Sequence, residues 1–172
     1  MTSPERIVEG VRLSNPDKVL YPEQGITKGQ LADYYVAVAG WILPHVARRP
    51  VTMVRCPTGQ EKKCFYQRHA GSGVPEQLHE VIVPGFDEPY LYIEDVGGLI
   101  AMVQMGTLEL HPWGVTVEEP GRPDRLIFDL DPPEGAVDEV RHAATLLRAA
   151  LDVVGVATVP LATGAPGLDR VE

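Results

Sequence analysis

The sequence predicts an α+β fold, and three observations carry that prediction. Short apolar runs with strand spacing alternate with longer stretches of helical periodicity. Turn formers separate runs that are close enough to pair as hairpins. Sixteen prolines and seventeen glycines divide the 172 residues into short elements. At 44% hydrophobic and 23% charged residues, the composition is that of a globular chain.

Residues 13–27, "LSNPDKVLYPEQGIT", are dense in turn formers and are expected to be an ordered loop. Thr27 can cap a helix over "KGQLADYYVAVAGWILPHV", with Leu31, Tyr34, Tyr35, Val38, Trp41 and Ile42 as its core stripe and Pro44 and Pro50 at its end. "VTMVRC" (51–56) and "KCFYQRH" (63–69) are expected to be hairpin partners across Pro57–Gly59. "EVIVPG" and "YLYIED" are further short strands. Residues 95–106 predict a helix weakened by two glycines, and "TLELHPW" (107–113) predicts a strand. "RLIFDLDP" is the next expected strand. Residues 136–155 predict an amphipathic helix with Val140, Ala143, Ala144, Leu147, Leu151 and Val154 on one side and Gly155 as its C-cap. "VATVPLATGAPG" begins as a strand and enters a glycine turn.

No apolar stretch is long enough to cross a bilayer, and the N-terminus lacks a signal-peptide core, so a cytoplasmic protein is expected. Cys56 and Cys64 match no zinc spacing and are expected to be reduced thiols without a role. The hairpin could bring them together, so a disulfide stays open for an exported protein. The net charge of −9 argues against indiscriminate nucleic-acid binding. It is unevenly spread: residues 1–70 hold ten Lys/Arg and six Asp/Glu, whereas residues 71–172 hold five and eighteen. An anion-gripping face early and a cation-gripping face late would produce this split, and so would two solvated surfaces.

Four groups of residues could carry chemistry. Asp129 and Asp131 in "RLIFDLD" share one face if the run is a strand, and paired carboxylates suit Mg²⁺ or Mn²⁺. An Asp-Pro turn capped by Asp131 also explains them, and on spacing alone that is the commoner outcome. A phosphodiesterase using the same pair is a further chemical option. His111 ends "TLELH" with Glu109 on its face, either as a packed residue or as a phosphate contact. Lys18 and Lys28 flank the "NPDKVLYP…GITK" loop. Lys28 lies in a first helical turn, where free N–H groups would welcome a phosphate; two solvated lysines fit as well. Phe65 and Tyr66 sit among Lys62, Lys63, Arg68 and His69, with Arg55 on the facing strand. That pattern serves either base stacking or a half-buried hairpin.

"LSNPDKVLYPEQGITKGQLADYY", "RPVTMVRCPTG", "CFYQRH", "GLIAMVQMGTLELHPWG" and "PDRLIFDLDP" occur here in one order. From about Leu13 to Gly155 the chain resembles the polymerase domain of bacterial DNA ligase D and its stand-alone relatives, members of the archaeo-eukaryotic primase superfamily. The resemblance implies one primase-polymerase-like domain over 1–172. Mixed or antiparallel sheets are flanked by helices, with a DNA 5′-phosphate-binding region at 13–70 and a partial catalytic region at 95–172. It implies template-dependent addition of NTP or dNTP at DNA ends in non-homologous end joining, with Ku and a DNA ligase as partners. Asp129 and Asp131 would be metal ligands for Mn²⁺ or Mg²⁺, and His111 would contact the triphosphate. Lys18 and Lys28 would grip the 5′-phosphate, and Phe65 and Tyr66 would stack on DNA beside Arg68 and Arg55.

The resemblance fails in one region. After "VATVP" the family carries a Ser/Thr-Gly-x-Lys/Arg-Gly-Leu-His loop for the nucleotide. Thr163, Gly164, Gly167 and Leu168 fit it, while Pro166 and Asp169 replace the basic residue and the histidine. The family's third metal carboxylate comes from a later strand that this sequence lacks. The expectation is a largely complete first lobe, a truncated catalytic lobe and weak or absent nucleotidyl transfer. The alternative role is a DNA-end binding module.

Overall fold

The computed structural model describes residues 5–130, 136–161 and 170–171, the last two by backbone alone. Two compact units divide the chain, residues 1–123 and 124–172. The architecture is α+β, with small antiparallel sheets and, among the described residues, three helices.

The first unit begins with a hairpin of β1 (Arg6–Val8) and β2 (Val11–Leu13). Its turn places Glu9 and Gly10 at φ of 47° and 77°, the left-handed pair that a two-residue hairpin turn needs. The 13–27 segment is more structured than a loop: β3 (Val19–Tyr21) pairs with β4 (Ile26–Thr27). Helix α1 spans Lys28–Val46 behind a capping box, in which the Thr27 side chain accepts from Gln30 N and the Gln30 side chain accepts from Thr27 N. Pro44 lies inside its last turn and does not end it.

The expected core stripe of α1 needs correction. Leu31 and Ala32 are buried and Tyr35, Ile42 and Leu43 pack on the core, but Tyr34 and Trp41 are 58% and 76% exposed. At 100° per residue, Tyr34 and Trp41 stand about 60–80° to one side of Leu31, at the edge of the buried face.

Strand β5 (Val51–Arg55) is the centre of a three-stranded antiparallel sheet between β6 (Phe65–Gln67) and β9 (Thr107–Pro112). β7 (His79–Val81) pairs with β8 (Tyr90–Tyr92). Helix α2 (Val96–Gln104) starts at Asp95, whose carboxylate accepts from Gly98 N at 3.0 Å. Residues 97–103 of α2 are all buried, as befits a helix apolar all round. Leu13, Leu20, Met53, Leu91 and Ile93 complete the core around it.

Cys56 and Cys64 form a disulfide, against the expectation of free thiols. The hairpin register pairs Arg55 with Phe65 and so sets the two cysteines opposite each other, with Cα atoms 4.3 Å apart.

In the second unit, helix α3 spans Val137–Val153 and Gly155 follows it at φ 76°. Only Val140 of its expected stripe is buried, and Val154 is exposed. β10 (Pro160–Leu161) pairs with β11 (Arg170–Val171). Residues 125–130 do not form the expected strand, and Phe128 alone makes an isolated bridge there. A strand persists only where neighbouring backbone takes up its hydrogen bonds. Leu126 and Ile127 stay 55% and 47% exposed, beside a cavity of about 150 Å³ lined by Leu126, Phe128, Leu151 and Val156.

Candidate functional site

The lysine loop is tied together by its backbone. Asn15, at φ 50°, turns the chain so that Lys18 N reaches Asn15 O at 3.0 Å. Lys28 N donates to Lys18 O and Gly29 N to Pro16 O, both at 2.8 Å. A Cβ on Gly29 would lie 3.2 Å from Pro16 O, so a glycine permits this close approach. With Gln30 N held by Thr27, the first-turn N–H groups of α1 are occupied, contrary to the expectation of free donors for a phosphate.

The two lysines stand in different environments. Lys28 is only 6% exposed, and its Nζ donates to Ser14 O (3.1 Å), Gln104 O (3.2 Å) and Gln104 Oε1 (3.4 Å). Gln104 also reaches back to Ser14 Oγ at 2.8 Å, so this network joins the end of β2, the start of α1 and the end of α2. Burial, and then the Lys18 charge, pull the Lys28 ammonium below its ordinary range. Lys18 Nζ donates to Pro57 O on the disulfide loop. An ammonium has three N–H donors, which leaves Lys18 capacity for an anion. Sequence spacing could not distinguish the two, because the acceptors of Lys28 lie up to 76 residues away.

This arrangement predicts a measurable effect. Lys28→Met is expected to lower stability by about 2 kcal/mol, because buried acceptors lose their donor. The sign with pH follows from its lowered folded value. Between that value and 10.5 the unfolded state binds more protons, so wild type gains stability relative to Lys28→Met as pH rises through this window. Urea unfolding of both proteins from pH 8 to 10.5 checks it. A constant difference would contradict the assignment.

On the three-stranded sheet, Phe65 and Tyr66 are 41% and 68% exposed. Arg55 stacks beneath Phe65 with its guanidinium carbon 5.3 Å from the ring centroid, donating to Met105 O at 2.9 Å and Gln67 Oε1 at 2.5 Å. Burial lowers its basicity. Arg68 is exposed, next to the hairpin. His111 lies on β9 with its ring 6.4 Å from that of Tyr66, and its Nε2 is 3.0 Å from Glu109 Oε2. The structure thus brings together Lys18 with Lys28, Arg55 with Phe65, and Tyr66 with His111.

Asp129, in the second unit, is exposed. Asp131, Thr163 and Gly164 lie outside the described residues, as do Pro166 and Asp169. Among the described residues no group of three or more His, Cys, Asp or Glu side chains is placed to hold a metal ion. No helix among them is long and apolar enough to cross a membrane.

A capped helix behind a lysine loop, an aromatic hairpin and a histidine-bearing strand, in this order, place the chain in the class of primase-polymerase domains. It belongs to the LigD family of them: residues 27–171 match the family described as "LigD, primase-polymerase domain". It is 37% identical, over 93% of its length, to the multifunctional non-homologous end joining protein LigD of Mycolicibacterium smegmatis, of which it covers 22%. The LigD of Pseudomonas aeruginosa is 33% identical over 92% of the chain, which covers 19% of it. The chain therefore spans about a fifth of these curated relatives. Among solved structures, the polymerase domain of Mycobacterium tuberculosis ligase D in complex with DNA matches with a TM-score of 0.79 and 32% identity, over 98% of this chain and 60% of that one.

Proposed function

We propose that this chain is a nucleotidyltransferase module of DNA repair by non-homologous end joining, which adds NTP or dNTP to DNA ends under template direction and recognises a 5′-phosphate. The observation that carries the reading is the match over 98% of the chain to a polymerase domain in complex with DNA. Asp129 and Asp131 would hold Mn²⁺ or Mg²⁺, hard ions that take oxygen ligands. Bound there, such an ion would supply charge neutralisation at the triphosphate. His111 would contact the triphosphate, and Thr163 and Gly164 would help to seat the nucleotide. Lys18 would make the principal 5′-phosphate contact, with Lys28 buttressing the loop from inside. Phe65 and Tyr66 would stack on DNA, with Arg68 on the rim and Arg55 supporting Phe65. The module would act in the cytoplasm on nucleoid DNA, with Ku and a DNA ligase as partners.

A second reading is a DNA-end binding module without chemistry. The favouring observation is that Pro166 and Asp169 stand where the family has a basic residue and a histidine.

Primer extension with Mn²⁺ on a gapped duplex separates the two. The first reading expects product, with more on a 5′-phosphorylated gap than on a 5′-hydroxyl one. Absence of product with retained preference for the phosphate selects the second. Equal affinity for both ends overturns both. Lys18→Ala is expected to weaken binding and reduce the salt slope by about one unit, as the loss of one phosphate contact requires.

A further inference from the structure

We infer that Glu109 is a positioning residue for nucleoside triphosphate binding: its carboxylate holds the His111 imidazole by Nε2 and turns Nδ1 toward the phosphates. The inference rests on the proposed role of His111.

The geometry is local and complete. Glu109 and His111 are two apart on β9, so their side chains leave the same face of the sheet. Glu109 lies opposite Val54 and His111 opposite Thr52, and Val54 in turn lies opposite Tyr66. The Tyr66 ring stands beside the imidazole, 6.4 Å away at a 58° tilt. Glu109 Oε2 accepts from Nε2 at 3.0 Å. An imidazole whose Nε2 proton is given to a carboxylate can offer an anion a proton only from Nδ1. Glu109 therefore fixes which nitrogen faces the substrate.

The charge of Glu109 makes the claim testable by sign. A carboxylate beside a triphosphate repels it, so a Glu109 that merely decorated the sheet would weaken binding, and its removal would tighten it. A positioning Glu109 predicts the opposite. Its side chain is 61% exposed, so substitution leaves the fold intact.

The experiment is calorimetric titration of the full chain with ATP and Mn²⁺, using wild type, Glu109→Ala, Glu109→Gln, His111→Ala and the Glu109→Ala/His111→Ala double variant. Glu109→Ala is expected to raise Kd about tenfold, the effect of losing one charge-assisted hydrogen bond. Glu109→Gln, which keeps an acceptor oxygen, is expected to recover part of the loss. In the His111→Ala background, Glu109→Ala is expected to have no further effect. The ¹⁵N shifts of the His111 ring are expected to move in Glu109→Ala, which a purely long-range charge effect would not produce. Unchanged or tighter ATP binding by Glu109→Ala overturns the inference while leaving the role of His111 standing. Equal weakening in both backgrounds also overturns it. No weakening by His111→Ala overturns the inference and the assignment of His111 together.

Discussion

Asp129→Ala is expected to lower primer extension by a hundredfold or more. In the proposed reaction the carboxylates of Asp129 and Asp131 hold the divalent ion. Two-metal phosphoryl transfer depends on that ion to offset charge on the triphosphate. A hundredfold loss corresponds to about 2.7 kcal/mol of transition-state stabilisation, a modest demand for removal of a charged metal ligand. Asp129 is exposed, so the substitution should unfold nothing. It also lies outside the 13–70 segment, so affinity for a 5′-phosphorylated end should not change. Mn²⁺ titration gives a readout independent of turnover: wild type is expected to bind the ion and Asp129→Ala to bind it more weakly. Equal Mn²⁺ affinity and equal extension would remove Asp129 from the site.

Local signals were legible in the sequence, and those that depended on distant partners were not. Thr27 followed by Gln30, and Asp95 before an apolar run, mark helix starts because capping involves only neighbours in the chain. The 51–55 and 65–67 hairpin and the shared face of Glu109 and His111 follow from the period of two. Helical period also placed Tyr34 and Trp41 near the buried face of α1, yet only tertiary packing decides where the edge of that face falls. The 6–13 hairpin has a local signal in Glu9-Gly10 between two short apolar runs, a two-residue turn that needs no distant partner. Lys28 resembles any other loop lysine until Ser14 and Gln104 fold around it. The Cys56–Cys64 bond follows from hairpin register, which cysteine spacing and redox compartment do not reveal. Residues 125–130 have strand composition, but composition supplies no neighbour to pair with.

Gly98→Ala is expected to destabilise the fold by about 3 kcal/mol, although alanine is the better helix former. In an open helix the exchange favours alanine by about 1 kcal/mol. At position 98 the new Cβ would lie 2.5 Å from Ile93 Cβ and 2.7 Å from Ile93 Cγ2, with Gln77 O at 3.3 Å. Neither side can yield easily. Ile93 Cβ is fixed to a backbone whose carbonyl accepts Arg48 N at 2.7 Å, and Gly98 N is held by the Asp95 cap. Relief requires α2, the helix at the centre of the core, to move as a body, and overpacking of that kind outweighs the gain in propensity. Ile93→Val should not rescue the variant, because valine keeps the Cβ and a γ-methyl. Gly40→Ala is the control: it lies within α1 with nothing within 4 Å of its added Cβ, and is expected to stabilise by about 0.5–1 kcal/mol. Urea unfolding should therefore give shifts of opposite sign for one chemical change in two helices. A Gly98→Ala protein as stable as wild type would mean that α2 and Ile93 leave room for a Cβ at position 98.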